Sequence, residues 1–508
     1  MKQSGKATNL VVMLILLSYS VMPVVLFNDT LLLHPDGKKH VPAQGGTLEV
    51  AGFSTNKLIS TSDFPWLQHV EPTIAVSDNG VLFAGWKNAE TDYGGGARVS
   101  FSRSNDGGST WTEPLDMPMY GYSFTRQSDP WLVWHNDTIY YAYVEHNWSD
   151  QSRTTNISQI TVSRSNDGGN SWSSVSASPS TSSSNDQFAD KETMTIGADG
   201  TIYVAYDDIN WTRFMETELD CPTMRISRSI DGGATFNDVS IIGAPDSPHG
   251  GPYITLDSNG DIFVALLYYG LRMDPEQIDL FGTVYGARSM NQGNSFSDYI
   301  TVDTDGNFSA LTFSNDHHAK STLPVARFNQ DGRLFFLWAD TYPDQDEFDI
   351  FLRYSDDFGD TWSERIRINH EIDGNQWQPD LSIDSQGLLH ITYYNEQDES
   401  FRPYYRTVKF IGTALDIPVF GDPIAIADQS TSSSFTRPGD YFTMRLDSEG
   451  RPHVVWTDGR AGELDIYYAH GLTSDEMEAT ALPMEFFFIG IGGAAVVVIV
   501  AVVFLKRR

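Results

Sequence analysis

Cysteine is almost missing from this 508-residue chain: Cys221 stands alone, so no internal disulfide can staple the fold. Basic residues are scarce as well. There are 33 lysines and arginines against 67 aspartates and glutamates, a formal net charge of −34, and five of the bases lie in the two terminal segments. So acidic a surface repels nucleic acid and anionic lipid and favours solubility, cations and a solvated shell with no specific partner. No loop has the Asp-x-Asp-x-Asp-Gly spacing with a later Glu that marks an EF-hand, although calcium among the acidic loops stays open. Without disulfides, a chain of this length must rest on a large packed core. Its 40% apolar and 13% aromatic content can supply one.

Long apolar runs are confined to the ends. Lys2 and Lys6 precede an apolar run over 10–17, the layout of a secretory signal, and the apolar stretch continues to Phe27, so 1–27 reads as a signal peptide or an uncleaved signal anchor. Residues 486–505 carry no charge and are long enough, about 30 Å as a helix, to cross a bilayer. Lys506, Arg507 and Arg508 follow, and the positive-inside rule keeps that tail (506–508) cytoplasmic. The expectation is a single-pass protein of the cell membrane, its bulk outside, joined to the anchor by a stalk over 471–485. Six glycosylation sequons, at Asn28, Asn136, Asn147, Asn156, Asn210 and Asn307, suit an exported chain.

Between the ends the sequence repeats. The octet Ser104-Asn105-Asp106-Gly107-Gly108-Ser109-Thr110-Trp111 returns at 165–172 and 355–362, with Phe236 for Trp at 229–236, and with Asn291 and Phe296 at 289–296. Spacings of 61, 64, 60 and 66 residues mark a repeat architecture. A short carboxylate that caps its own turn, a glycine for positive φ and a closing aromatic ring make each octet a hairpin connection. Five copies cannot share one active site, so Asp106, Asp167, Asp231, Asn291 and Asp357 read as structural. The octet resembles the Asp-box (BNR) repeat, Ser-x-Asp-x-Gly-x-x-Trp, of the sialidase superfamily.

A second pattern, apolar strand, Asn/Asp-Gly turn, apolar strand, occurs seven times, beginning at Pro72, Asp129, Glu192, Pro252, Pro324, Pro379 and Tyr441. With the strands flanking each octet, a unit holds four antiparallel strands in roughly 60 residues, and such units close into a β-propeller. The predicted fold is all-β, a propeller of seven blades over 28–470, with six as the alternative because the sialidase propellers it resembles have six. The seventh unit shows only three strands, and the stretch Lys57-Leu58-Ile59-Ser60 is expected to lend the fourth.

In this order the octets lie on one rim, and the loops entering first strands and leaving second strands gather on the other, around the axis. His69 and Glu71 fall there. So do the candidates for ligand binding: Arg126, Asp129, Asp190, Lys191, Glu192, Trp377, Gln378, Arg437 and Asp440. Rings that stack on sugar faces, carboxylates for hydroxyls or proton transfer and cations for an acidic substituent are what a carbohydrate site uses. No metal site is assigned, since neighbouring His317 and His318 point apart on a strand. The resemblance implies three arginines on the substrate carboxylate, a tyrosine nucleophile activated by a glutamate and an aspartate acid/base. Here, however, His69-Val70-Glu71-Pro72 stands where the family has Phe-Arg-Ile-Pro, and Arg103, Arg164, Arg228 and Arg288 recur with the octets and belong to the scaffold. No catalytic residue transfers. The expectation is a monomeric module that binds a glycan or glycoconjugate at its axial face without turnover and requires no cofactor. An exo-glycosidase acting on terminal acidic sugars and a protein-binding or adhesion scaffold are the alternatives.

Overall fold

A computed structural model describes residues 48–60, 68–90, 96–120, 124–147, 157–178, 187–210, 223–243, 249–274, 277–303, 309–310, 323–341, 347–371, 373–411, 416–435, 438–481, 486–491 and 494–499. Blades I to VI are consecutive antiparallel sheets whose strands pair in chain order. Their first strands are Gln68–Val76, Arg126–His135, Gln187–Ile196, His249–Leu256, Val325–Phe328 and Asn375–Ile383. Blade VII has Thr443–Leu446, Pro452–Asp458 and Asp465–Leu472, and takes its outer edge from Gly52–Phe53 and Lys57–Leu58, with Lys57 opposite Tyr468. The ring therefore has seven blades and is sealed by joining the two ends of the propeller, as the missing fourth strand required. Ser60 fixes the seal: its Oγ donates to Asp465 Oδ1 at 2.9 Å and accepts from the Ile466 amide at 3.0 Å.

Second strands are covered on both faces by neighbouring blades. That is why Leu82–Ala89 and Pro452–Asp458 are buried throughout and carry Trp86 and Trp456 at matching places.

The octets are spent on their own turns. Asp106 Oδ1 accepts from Ser104 Oγ and the Thr110 amide, both at 2.8 Å, and Oδ2 accepts from Thr110 Oγ1 at 2.7 Å. Asp167, Asp231 and Asp357 repeat the pattern, and Asn291 retains it with an amide. Gly108 sits at φ 91°, and a Cβ there would lie 2.0 Å from the Tyr468 ring, so only glycine fits against blade VII. Each turn is also clasped from the preceding blade. Arg103 donates to Gly168 O at 2.6 Å, Arg164 to Gly232 O at 2.6 Å, Arg228 to Gln292 O at 2.8 Å and Arg288 to Phe358 O at 3.0 Å.

Hydrogen bonds from Thr110 and Ser104 hold the Asp106 carboxyl down at about 2, and those from Ser171 and Ser165 hold Asp167 at about 2. A carboxyl whose folded value is depressed stabilises above its unfolded value, about 3.9, and that contribution disappears as pH falls through the folded value. The urea midpoint is expected to fall between pH 4 and pH 2, and Asp106→Asn, which imitates the Asn291 turn, to fall less steeply. Parallel slopes would show that these turns do not carry acid sensitivity.

Beyond the last strand, helix Ser474–Ala481 occupies the stretch read as a stalk. It opens with a capping box in which Thr473 Oγ1 and Glu476 serve each other's amides, and Glu476 also pairs with Arg451 at 3.0 Å. The helix expected over 486–505 is not found. Phe486–Ile491 and Ala494–Ile499 pair as antiparallel strands, and no helix among the described residues is long and apolar enough to cross a membrane. β-branched and aromatic residues favour the strand, and Gly492-Gly493 between them disfavours a helix. The segment 1–27 lies outside the described residues.

Candidate axial site

The site is produced by a defect repeated around the ring. First strands in blades I, II, III, IV and VI each shift register by one residue, at Val70/Thr73, Ser128/Trp131, Asp190/Thr193, Gly250/Tyr253 and Trp377/Asp380. Each bulge contains a residue in the left-handed region: Glu71 at φ 55°, Asp129 at 51°, Lys191 at 54°, Gly251 at 63° and Gln378 at 49°. Four of the five are not glycine. A side-chain-bearing residue costs about 1–2 kcal/mol in that conformation, and strain of this kind concentrates where function requires it.

The bulges direct polar groups to the axis. Asp129, Lys191, Glu192, Gln378 and Asp440 line one small chamber there, with a volume of about 20 Å³, roomy enough for about one water. Lys191 Nζ donates to Asp129 Oδ1 at 3.1 Å and also bonds Asp440 Oδ2. Lys87 Nζ, from the second strand of blade I, donates to Glu71 Oε1 at 2.5 Å. Gln378 Nε2 donates to the Gly439 carbonyl. Carboxylate oxygens of Glu71, Asp129 and Asp440 lie within 4.8 Å of one another, close enough to share a cation, and the two lysines bring positive charge to these three acids.

Glu192 differs from the other acids. It stands where blades I, II, IV and VI have Pro72, Pro130, Pro252 and Pro379, it is 3% exposed, and no other described residue donates to either of its oxygens. Burial, reinforced by the charges of Asp129 and Asp190, raises its carboxyl well above the ordinary range and so favours its neutral form. Burial pushes Asp129 the same way, but the ammonium groups of Lys191 and Lys87 outweigh it and keep Asp129 ionised. Glu71 is raised by burial despite Lys87. The chamber thus places an acid biased toward its neutral form beside one biased toward its charged form.

Its floor is aromatic. Trp131 meets Tyr253 at 5.6 Å and Tyr441 at 5.7 Å, both edge to face, with Trp131 Nε1 bound to Met194 O at 3.1 Å and Tyr441 Oη to Pro130 O at 2.7 Å. Trp131 and Tyr253 of this cluster also face a second cavity.

Of the residues singled out from sequence, Asp129, Lys191, Glu192, Gln378 and Asp440 come together. Asp190 does not line the chamber and acts on it through its charge. Arg126 is turned aside, its Nε bound to Gly96 O at 3.0 Å and Nη2 3.7 Å from Glu90. Trp377 is core rather than rim, packed at 4.4 Å on Tyr394 and 5.1 Å on Phe401. Arg437 lies outside the described residues. Lys87 and Tyr441 were missed; both lie in apolar strand patterns that read as core.

No protein-family model and no curated protein matches the chain. Solved structures similar to it include a Dyadobacter fermentans protein of unknown function (16% identity, TM-score 0.44, 70% of this chain and 96% of that one). The Hadza microbial sialidase Hz136 is another (17%, 0.45, 66% of each chain). A third is the GH93 α-L-arabinofuranosidase of Fusarium graminearum solved with arabinobiose (12%, 0.46, 84% and 99%). All three score below 0.5, and the seven-bladed architecture stands on this chain's own strand pairing.

Proposed function

We propose that the axial face binds the end of a carbohydrate chain and hydrolyses its terminal glycosidic bond. The observation that carries this reading is the pair formed by Glu192, buried with no other described residue donating to its oxygens, and Asp129, held by the Lys191 ammonium, since glycoside hydrolysis requires one carboxyl to protonate the leaving oxygen and a second to stay charged. Glu192 is the general acid. Asp129, oriented by Lys191 and by Ser128 Oγ at 2.5 Å, assists water or stabilises the developing positive charge on the sugar. Lys191, Gln378 and Asp440 hold hydroxyl or carboxylate substituents, and the sugar ring stands above a chamber that itself admits about one water-sized group.

A second reading, binding without turnover, is favoured by the closure of Lys191 on both Asp129 and Asp440, which leaves the ionised acids already paired. One experiment separates the two. Purified protein is offered fluorogenic neutral glycosides and sialosides, in parallel with a glycan array. Release of fluorophore with an alkaline limit above the ordinary glutamate range supports hydrolysis; array binding with no release supports the binding module; neither result removes carbohydrate from the proposal.

A further inference from the structure

The channel has a second mouth, on the octet rim, where the repeat pattern gives no reason to expect a site. A cavity of about 190 Å³ opens there beneath the aromatic floor, walled by Trp131, Trp134, Tyr253 and apolar residues of the inner strands. Two arginines enter it, Arg327 from blade V and Arg445 from blade VII. Arg445 is matched, its Nη1 donating to Asp380 Oδ2 at 3.0 Å, and its guanidinium lies 5.7 Å from the Trp131 ring. Arg327 is different. Its Nε is anchored to the Leu381 carbonyl at 2.5 Å and its guanidinium lies 5.6 Å from the Tyr253 ring, yet among the described residues no carboxylate pairs with it.

In a chain with 67 acids and 33 bases, an arginine lacking an acid in a half-buried throat stands out. Two guanidinium groups and one carboxylate leave a single positive charge between ring faces, a partner for one anionic group. We infer that this lower mouth binds a small monocarboxylate with an aromatic or apolar body, its carboxylate on Arg327 and its body against Trp131, Trp134 and Tyr253. The planar fork of arginine matches a carboxylate, the flat walls match a ring, and one surplus charge matches a monoanion better than a phosphate dianion. This site shares the Trp131 and Tyr253 rings with the axial chamber but does not depend on the acid pair there.

The test uses the full-length protein and benzoate as probe, followed by calorimetry, with benzamide and inorganic phosphate as controls. Benzoate is expected to bind, benzamide not to bind, phosphate not to compete, and Arg327→Met to weaken benzoate at least tenfold. Lys191→Met, in the upper chamber, is expected to leave benzoate binding unchanged. Should Arg327→Met not fold, Trp134→Ala on the half-buried wall is expected to weaken benzoate instead. No benzoate binding, equal binding of benzamide, competition by phosphate, loss with Lys191→Met, or affinity retained in the lower-mouth variants would each overturn the assignment.

Discussion

Glu192→Gln is expected to lower kcat for a cleavable glycoside by about 10²–10⁴-fold, the usual contribution of a general acid, with little change in KM. Glutamine preserves the shape and cannot give up a proton. The sign of the pH dependence follows from the raised carboxyl: the acid form is lost as pH rises through its folded value, so the alkaline limb of kcat/KM lies above the ordinary glutamate range and should be absent from residual activity in the variant. A substrate with an activated leaving group needs less proton assistance and should recover much of the lost rate. If kcat instead stays within a factor of a few for a poor leaving group, Glu192 is a buried structural acid and the hydrolytic reading fails.

The second large effect is on the ring. Beginning the chain at residue 61 removes Lys57–Leu58, the buried Ile59 and the Ser60 hydroxyl, and bares the edge of Asp465–Leu472, which carries Tyr467 and Tyr468. Burying Ile59 alone is worth about 1.5–3 kcal/mol, and the unpaired edge adds to the loss. Thermal unfolding should move down by roughly 10 °C, accompanied by concentration-dependent association through the open edge. Adding back a peptide spanning 48–60 should reverse both. An unchanged Tm would mean that blade VII holds itself together without the borrowed strand.

The architecture was readable because its rules are local. Alternation, Asn/Asp-Gly turns and the octets each occupy a few consecutive residues and recur, so seven units, and the strand missing from the last, could be counted from Pro72 to Tyr441. The site was readable in part because strand order alone puts the residues entering each first strand, Glu192 among them, on the axial rim. What could not be read was direction. A bulge adds one residue and reverses which side chain faces in, so Gln378 reaches the axis and its neighbour Trp377 is carried into the core. Lys87 was hidden for a related reason: it closes a strand whose residues are all buried, and only the structure shows it paired with Glu71. For the C-terminal segment, length and lack of charge pointed to a helix, whereas the described residues Phe486–Ile491 and Ala494–Ile499, rich in β-branched and aromatic side chains, pair as strands.

The clasps between octets act like the links of a belt, and a belt gives way at its weakest link. Arginine clasps run from blade I through to blade V, Arg333 continues to Asp416 of blade VI at 3.0 Å, and Tyr468 of blade VII rejoins Gly107 of blade I at 3.1 Å. Among the described residues no such link joins blades VI and VII on that rim; their contacts lie further in and further out, from Asp380 with Arg445 and the Met444 amide, through Tyr394 with Thr457, to Thr431 with Asp458 and Asn56 with Ile426 O. On that rim the turns of blades VI and VII should therefore exchange their amides with solvent ahead of the clasped octets, while the inner part of the same boundary stays protected, so the propeller loosens at one edge of one seam rather than as seven equal petals.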